Sequence, residues 1–195
     1  MQTLDNLSQY DIVLASRSPR RETLLSSFNV PFRILTIDDI DESFPEGLTP
    51  NEVARYISSH KAEAYRKLLT PPMLVITADT IVSCDGRILG KPKDRDEAVE
   101  MLTMMSGRTH QVVTGVTVMT QARTETIDVT THVTFSPLLN YEIRYYIDRY
   151  KPYDKAGAYG IQEWIGQRAV ERIEGSYTNV MGLPTSQLCQ LLQTF

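Results

Sequence analysis

The chain has 195 residues, of which 42% are hydrophobic and 23% are charged, and its formal net charge is −4. This length suits one domain of ordinary size, and the composition excludes wholesale disorder. The negative charge argues against a broad nucleic-acid-binding face, so any basic ligand site must be local.

The cysteines and the N-terminal segment indicate where the protein works. Cys84 and Cys189 lie far apart and outside any Cys-x-x-Cys motif, which favours buried thiols in a reducing compartment over a disulfide or a zinc site. Residues 1–10 are polar, and no apolar run approaches membrane-spanning length. We therefore expect a cytoplasmic protein with neither nucleic-acid nor membrane partners.

An unusual charge pattern follows the first predicted strand. Ile12–Ala15 is typical of a buried strand, and Ser18 and Pro19 suit the N-cap and first position of a helix. Arg20 and Arg21 then fall in the first turn, where the helix dipole disfavours cations. We interpret the pattern as an anion site made of backbone N–H and guanidinium groups. The alternative is a pair of solvated arginines on a surface helix.

A short extended run at residues 31–35 precedes the second predicted helix. That helix begins with the capping box Thr49-Pro50-Asn51-Glu52 and should run to about Leu69. Lys61 has helical spacing from the apolar residues of the helix, so its side chain either turns inward or snorkels at the edge of their stripe. The predicted apolar stripe consists of Val53, Ile57, Ala64, Tyr65 and Leu68.

A strongly apolar strand is predicted from Met73 to Ala78, ending at Asp79-Thr80. A carboxylate directly after such a run is costly unless it is paired, metal-bound or at a cleft. The carboxyl end of a buried α/β strand is also where ligands commonly bind. We therefore favour a functional role for Asp79 over the alternative, in which it caps the adjoining turn.

The rest of the chain predicts a mixed α/β sheet, because helices alternate with strands and hairpins are present. The predicted elements are a hairpin turning at Asp85-Gly86, a helix from about Asp94 to Met105 closed by Gly107, strands at 110–120 and 127–135, a helix at 140–150, a glycine-punctuated loop or strand at 154–162, a strand at 169–173 and a helix at 185–192.

The polar residues together indicate metal-assisted chemistry on a phosphorylated ligand. The arginines, Lys61 and Lys91 (in a Gly-Lys-Pro turn) could neutralise phosphates, while carboxylates hold a divalent metal that prefers oxygen ligands. Glu42 lies in an acidic cluster that, taken alone, is equally typical of a solvated loop. The chain has no Walker motif and no Gly-x-Ser-x-Gly motif, which argues against a P-loop kinase and a serine hydrolase. The residues alone identify neither the base nor the bond cleaved.

The chain resembles the Maf family of nucleotide pyrophosphatases, through motifs that occur in order over nearly its whole length. The matching blocks are 14–21 (Leu-Ala-Ser-Arg-Ser-Pro-Arg-Arg), 41–42, 60–62, 78–80, 90–92, 102–107, 154–162 (Asp-Lys-Ala-Gly-Ala-Tyr-Gly-Ile-Gln), 173–177 and 182–184. The first of these and the block at 154–162 are the most specific.

The resemblance implies one Maf-like domain over residues 1–195. Its fold would be a mixed twisted sheet flanked by helices, with two lobes around a cleft, as in the Maf and inosine-triphosphate-pyrophosphatase-like architecture. The implied reaction is hydrolysis of dTTP and UTP to the monophosphate and pyrophosphate with a divalent metal, Mg²⁺ or Mn²⁺. The resemblance also suggests a homodimer.

The resemblance also implies roles for individual residues. Asp79 would be the proton acceptor, and Glu42 and Asp79 would contact the metal. Phosphate contacts would come from Ser16, Arg21, Lys61 and Lys91. Substrate choice would fall to Arg20, Thr80 and Gln162, because a neutral amide offers both a donor and an acceptor to a pyrimidine edge. No role follows for Arg17.

The chain departs from the family pattern after Gln162. Pyrimidine-type members usually continue with Gly-x-Gly, whereas this chain has Glu163-Trp164-Ile165-Gly166 and is one residue longer. Trp164 either reshapes the base pocket, lies at an interface or packs on its own lobe. Alternative functions are therefore a pyrophosphatase for modified or purine nucleotides such as 7-methyl-GTP, and a non-catalytic binding protein linked to septation.

Overall fold

The computed structural model describes residues 4–195, so the first three residues of the polar N-terminal segment lie outside the described residues. The strands are β1 (Asp11–Leu14), β2 (Arg33–Ile34), β3 (Met73–Cys84), β4 (Arg87–Leu89), β5 (Thr109–Met119), β6 (Thr124–Phe135) and β7 (Val170–Glu174). The α-helices are α1 (Pro19–Ser26), α2 (Pro50–Ala64), α3 (Arg95–Met105), α4 (Asn140–Tyr150), α5 (Trp164–Ala169), α6 (Tyr177–Met181) and α7 (Thr185–Leu192). Short 3₁₀ helices cover Asp5–Gln9, Arg66–Leu68 and Ala156–Ala158.

The strands form one mixed sheet in the order β2-β1-β3-β5-β6-β7, with β4 paired to β3. β1 is parallel to both β2 and β3, whereas the β3–β4 and β6–β7 pairs are antiparallel. This mixture of strand directions, with helices between the strands in sequence, confirms the predicted fold class.

The described chain divides into two compact units. The first contains the described part of Met1–Asp79 together with Thr114–Val129 and Gly182–Phe195, and the second contains Thr80–Val113 and Thr130–Met181. A core cluster in the first unit includes Val13, Tyr65 and Val75. A core cluster in the second includes Phe135 and Tyr146.

The start of α2 is confirmed, but its end and part of its predicted stripe are wrong. Thr49 and Glu52 form both hydrogen bonds of the capping box. The helix ends at Ala64 rather than near Leu69, and a tighter 3₁₀ turn follows, which rotates Leu68 outward to 47% exposure. Ala64 is exposed because the buried face is centred towards Ala54, Ser58 and Ala62.

Helix α2 approaches β5 closely at Gly115 within the first unit. A Cβ atom added to Gly115 would lie 2.1 Å from the carbonyl oxygen of Ala54 and 2.9 Å from the backbone nitrogen of Arg55. Only glycine allows two backbones to come this near. The contact fixes where α2 lies along the sheet.

Strand β3 is longer than predicted. It continues through Asp79 and Thr80 to Cys84, so Asp79 lies within the strand and not at its end. The reason is a change of partner. β1 pairs with β3 only as far as Ile76, and the antiparallel pairing with β4 begins at Val82. Asp79 therefore lies where parallel pairing with β1 has stopped, although the strand itself continues.

Several local predictions in the second half of the chain are confirmed. The β3–β4 hairpin turns at Asp85-Gly86, where both residues have positive φ (49° and 78°), as a two-residue turn requires. Helix α3 begins after its N-cap Asp94, and Gly107 with φ 68° follows it. The helices α5 and α6 were not predicted, because six and five residues are too few to show a helical period.

His110 is buried in the second unit and makes stability depend on pH. Its Nε2 lies 2.8 Å from Tyr159 Oη, its ring packs against Phe135, and burial lowers its pKa from 6.5 to about 3. The unfolded chain therefore binds a proton on His110 between these two values, while the folded protein does not. The stabilisation is complete above pH 6.5 and is lost as the pH falls towards 3.

We expect the free energy of unfolding to fall by about 1.4 kcal/mol per pH unit between pH 6 and 4 on account of His110 alone. Urea unfolding at several pH values measures this slope. His110→Gln should flatten it, and His60→Gln, which changes an exposed histidine, should not. Equal slopes for wild type and His110→Gln would contradict the prediction.

Candidate active site

Three of the predicted site residues meet at one point in the first unit. Lys61 Nζ lies 2.6 Å from Asp79 Oδ1 and 2.7 Å from Glu42 Oε1. The side chains of Lys61 and Asp79 are each 14% exposed, and that of Glu42 is 46% exposed. Glu42 therefore belongs to the cluster and not to an independent solvated loop.

Helix α2 brings Lys61 to Asp79. Thr77 Oγ1 on β3 donates to the carbonyl oxygen of Ser58 at 2.7 Å, and the Ser58 hydroxyl lies 3.2 Å from Thr117 Oγ1 on β5. These buried hydrogen bonds hold α2 against both strands one turn before Lys61. Of the two alternatives for Lys61, the structure supports the inward orientation.

The first helix supplies a second group of predicted residues. Helix α1 begins at Pro19, as predicted, and Ser18 has extended backbone angles but makes no side-chain cap hydrogen bond. Ser16 Oγ accepts from the backbone nitrogen of Ser18 at 3.2 Å and from Arg21 Nη1 at 3.5 Å. Ser16 therefore joins the turn before α1 to the guanidinium group of Arg21.

Arg21 is held inside the first unit. Its Nε donates to the carbonyl oxygen of Gly182 at 2.8 Å. Burial lowers the pKa of Arg21, the charges of Asp79 and Glu42 act in the opposite direction, and the charge of Arg20 adds to the lowering. These interactions place Arg20, Arg21 and the two carboxylates in one electrostatic environment.

Gly182 is a residue that side-chain chemistry did not single out. It acts through its carbonyl oxygen, which every residue type carries, so composition gives no signal for it. The only hint was its place in the block 182–184.

The remaining predicted site residues lie in the second unit. Thr80 follows Asp79 directly in β3, Lys91 is exposed in the segment after β4, and Gln162 is exposed just before α5.

Arg17 forms an ion pair with Asp38, and both side chains are largely exposed. This partner was not predicted, since Asp38 lies in the acidic stretch beyond β2. The pair gives Arg17 a local role at the surface of the first unit.

The carboxylates of Asp79 and Glu42 fit a divalent metal that prefers oxygen ligands. The carboxylates of Asp79 and Glu42 both contact the ammonium group of Lys61, so an oxygen atom of each can point towards the same position. Among residues 4–195 no group of three or more His, Cys, Asp or Glu side chains is arranged to hold a metal. Two carboxylates suffice for Mg²⁺, which usually takes its remaining ligands from water and substrate phosphates.

Trp164 packs on the second unit. It begins α5, contacts the core cluster that includes Phe135, and meets the ring of Tyr145 edge-on at a centroid distance of 5.1 Å. Of the three interpretations of this residue, the geometry supports packing on its own unit.

Two further expectations concern the chain as a whole. Cys84 and Cys189 are both free thiols; Cys84 is buried, as predicted, whereas Cys189 is only partly buried. Within the part of the chain that the structure describes, no helix is both long and apolar enough to cross a membrane.

Comparisons with known proteins identify the relatives of this chain. Residues 11–195 match the family described as Maf-like protein. A protein of Porphyromonas gingivalis named dTTP/UTP pyrophosphatase is 53% identical over 194 residues, which cover 98% of each chain. A Bacteroides thetaiotaomicron protein of the same name is 51% identical over 95% of this chain and 96% of its own.

A more distant likeness is to a solved structure. The nucleoside-triphosphatase / dITP/XTP pyrophosphatase of Mycobacterium abscessus matches 66% of this chain and 75% of its own, at 13% identity and a TM-score of 0.40.

Proposed function

The chain belongs to the Maf family, and on that premise we propose that it hydrolyses dTTP and UTP to the nucleoside monophosphate and pyrophosphate. The observation that carries the proposal is the cluster in which Lys61 lies between Asp79 and Glu42. Relatives about half identical over nearly their full length are named for this reaction. We include in the proposal a single domain over residues 1–195.

Asp79 is the proton acceptor in the proposed mechanism. A water oxygen attacks the α-phosphorus, its proton passes to an Asp79 carboxylate oxygen, and the bond to the bridging oxygen breaks. The electron pair of that bond leaves with pyrophosphate. A carboxylate held by hydrogen bonds inside a largely buried cluster is well placed for such a transfer.

Positively charged groups stabilise the charge on the phosphates. In the first unit, Arg21 and Lys61 supply this charge, and the hydroxyl of Ser16 adds a hydrogen bond. Asp79 and Glu42 would hold a divalent cation, which when bound screens the charge of the triphosphate. Fixed charges that need no rearrangement contribute most to such stabilisation.

Four assignments rest on the family resemblance. Lys91 contacts phosphate, and Arg20, Thr80 and Gln162 select the substrate. A cytoplasmic location is part of the same proposal and is supported by the two free thiols. The expectation of a homodimer likewise comes from the resemblance.

A nucleotide panel tests the proposed function. Purified protein is incubated with dTTP, UTP, CTP, GTP or 7-methyl-GTP and either Mg²⁺ or Mn²⁺, and released pyrophosphate is measured. We expect pyrophosphate release from dTTP and UTP. Adding EDTA should abolish this release, because EDTA removes the divalent cation that Asp79 and Glu42 would hold. Activity confined to GTP derivatives would favour the purine alternative. Activity on no nucleotide would favour the binding protein.

A further inference from the structure

A hydrogen-bonded network lies beside Gln162 in the second unit, and the proposed chemistry does not use it. The Tyr146 hydroxyl donates to Glu163 Oε2 and accepts from the backbone nitrogen of Gly160 at 3.0 Å. Glu163 Oε1 lies 3.2 Å from Lys155 Nζ, and Lys155 Nζ lies 2.7 Å from Asp154 Oδ1. One hydroxyl, two carboxylates and one ammonium group are thus joined.

Apart from Asp154, whose side chain is 61% exposed, the network is largely removed from water. Tyr146 is fully buried, and the side chains of Lys155 and Glu163 are 9% and 18% exposed. Hydrogen bonds and ion pairs are strong in such surroundings, and losing one partner leaves the others unsatisfied. The network is therefore a rigid support.

Both ends of the turn that presents Gln162 are attached to this support. The backbone nitrogen of Gly160 and the carboxylate of Glu163 each bond to Tyr146, and Glu163 N donates to the Gly160 carbonyl oxygen at 3.0 Å. The amide of Gln162 lies over Gly160, since a Cβ atom added there would be 3.0 Å from Gln162 Nε2. Gln162 itself is exposed.

We propose that Tyr146, Glu163 and Lys155 are positioning residues that hold the Gln162 amide where it reads a pyrimidine base. The inference rests on the proposed function, which assigns Gln162 to the base. An amide recognises the carbonyl and N–H groups of uracil or thymine only in one orientation. A displacement of about 1 Å is enough to weaken such an arrangement substantially. Glu163, which departs from the family pattern, becomes part of the selection of substrate.

The ratio of kcat/KM for UTP to that for CTP measures this selection, because the two nucleotides share ribose and triphosphate and differ at the base edge. We expect Tyr146→Phe to lower the ratio about tenfold, chiefly through KM for UTP, since one hydrogen bond to the base is misaligned. Tyr141→Phe is the matched control. It removes the hydroxyl of a largely exposed tyrosine on the same helix and should leave the ratio unchanged.

Two further variants test the proposal if Tyr146→Phe does not fold. In Gly160→Ala the new Cβ atom would lie 2.9 Å from Glu163 Cδ and 3.0 Å from Gln162 Nε2, so it should displace both the network carboxylate and the Gln162 amide and lower the ratio. Glu163→Gln keeps the shape but removes the charge that faces Lys155, and should change the ratio in the same direction. Thermal unfolding of every variant is measured in parallel.

The outcomes separate this inference from the proposed function. A lower ratio in Gly160→Ala and in either network variant supports the inference. If Gln162→Ala lowers the ratio while these variants alter only thermal stability, the network is merely structural and the inference is wrong. A wild-type protein that does not distinguish UTP from CTP also overturns it. Failure of the wild type to release pyrophosphate from either nucleotide contradicts the proposed function itself.

Discussion

Asp79→Asn should lower kcat/KM for dTTP and UTP by about 10³-fold, because the amide cannot accept the proton of the attacking water. Asparagine has nearly the shape of aspartate, and Lys61 keeps Glu42 as an ionic partner at 2.7 Å. The variant therefore leaves no unpaired ammonium group in the cluster. We expect its thermal unfolding midpoint to stay close to that of the wild type.

Asp11→Asn is the matched control for this change. Asp11 begins β1, the parallel neighbour of β3, and pairs with Arg33 at 2.7 Å in a surface ion pair. Loss of such an exposed pair costs at most about 1 kcal/mol and should not affect turnover. Pyrophosphate release is measured for both variants. Near-normal pyrophosphate release by Asp79→Asn would contradict the assignment of Asp79 as the proton acceptor.

Gly115→Ala should destabilise the protein by about 4 kcal/mol or prevent folding, because the new methyl group meets backbone atoms of α2. The nearest atom, the Ala54 carbonyl oxygen, would be 2.1 Å away, and a backbone atom cannot turn aside as a flexible side chain can. The helix must instead move away from β5. That movement would also displace Lys61, so any folded fraction should show reduced activity.

Gly90→Ala tests whether the effect is specific to the contact. A Cβ atom at Gly90 would meet nothing within 4 Å, and we expect a change within about 0.5 kcal/mol. Urea unfolding followed by circular dichroism gives both values. A cost below about 1 kcal/mol for Gly115→Ala would contradict the close approach of α2 and β5.

Local chemistry predicted much of the fold. The capping box located the start of α2, the Asp85-Gly86 pair located a hairpin, and α7 begins at Thr185 and ends at Leu192 as predicted. These features depend on neighbouring residues, so a single sequence contains their signal. The length of β3 depends instead on which strands pair with it after Ile76, and no local pattern contains that information.

The site was predicted in its parts but not in its arrangement. Helical spacing placed Lys61 on or beside the inward face of its helix and left its orientation open. An apolar run followed by a carboxylate singled out Asp79. Their 2.6 Å ion pair depends on the packing of α2 on β3, which joins residues far apart in the chain. The contact between Arg21 and the carbonyl oxygen of Gly182 also links distant segments. The roles of the individual site residues came from the family resemblance, because contacts between distant segments cannot be predicted from the sequence.

The capped start of α2 and its contact with Gly115 also limit which insertions and deletions the protein can tolerate in this helix. Each residue of a helix adds about 1.5 Å and about 100° of rotation. One codon inserted between Ala54 and Lys61 would turn the ammonium group away from Asp79, however well the new residue suited a helix. Substitution of an exposed residue such as Tyr56 has no such effect. We therefore expect length differences among relatives to fall outside residues 49–61, even where side chains within that segment differ.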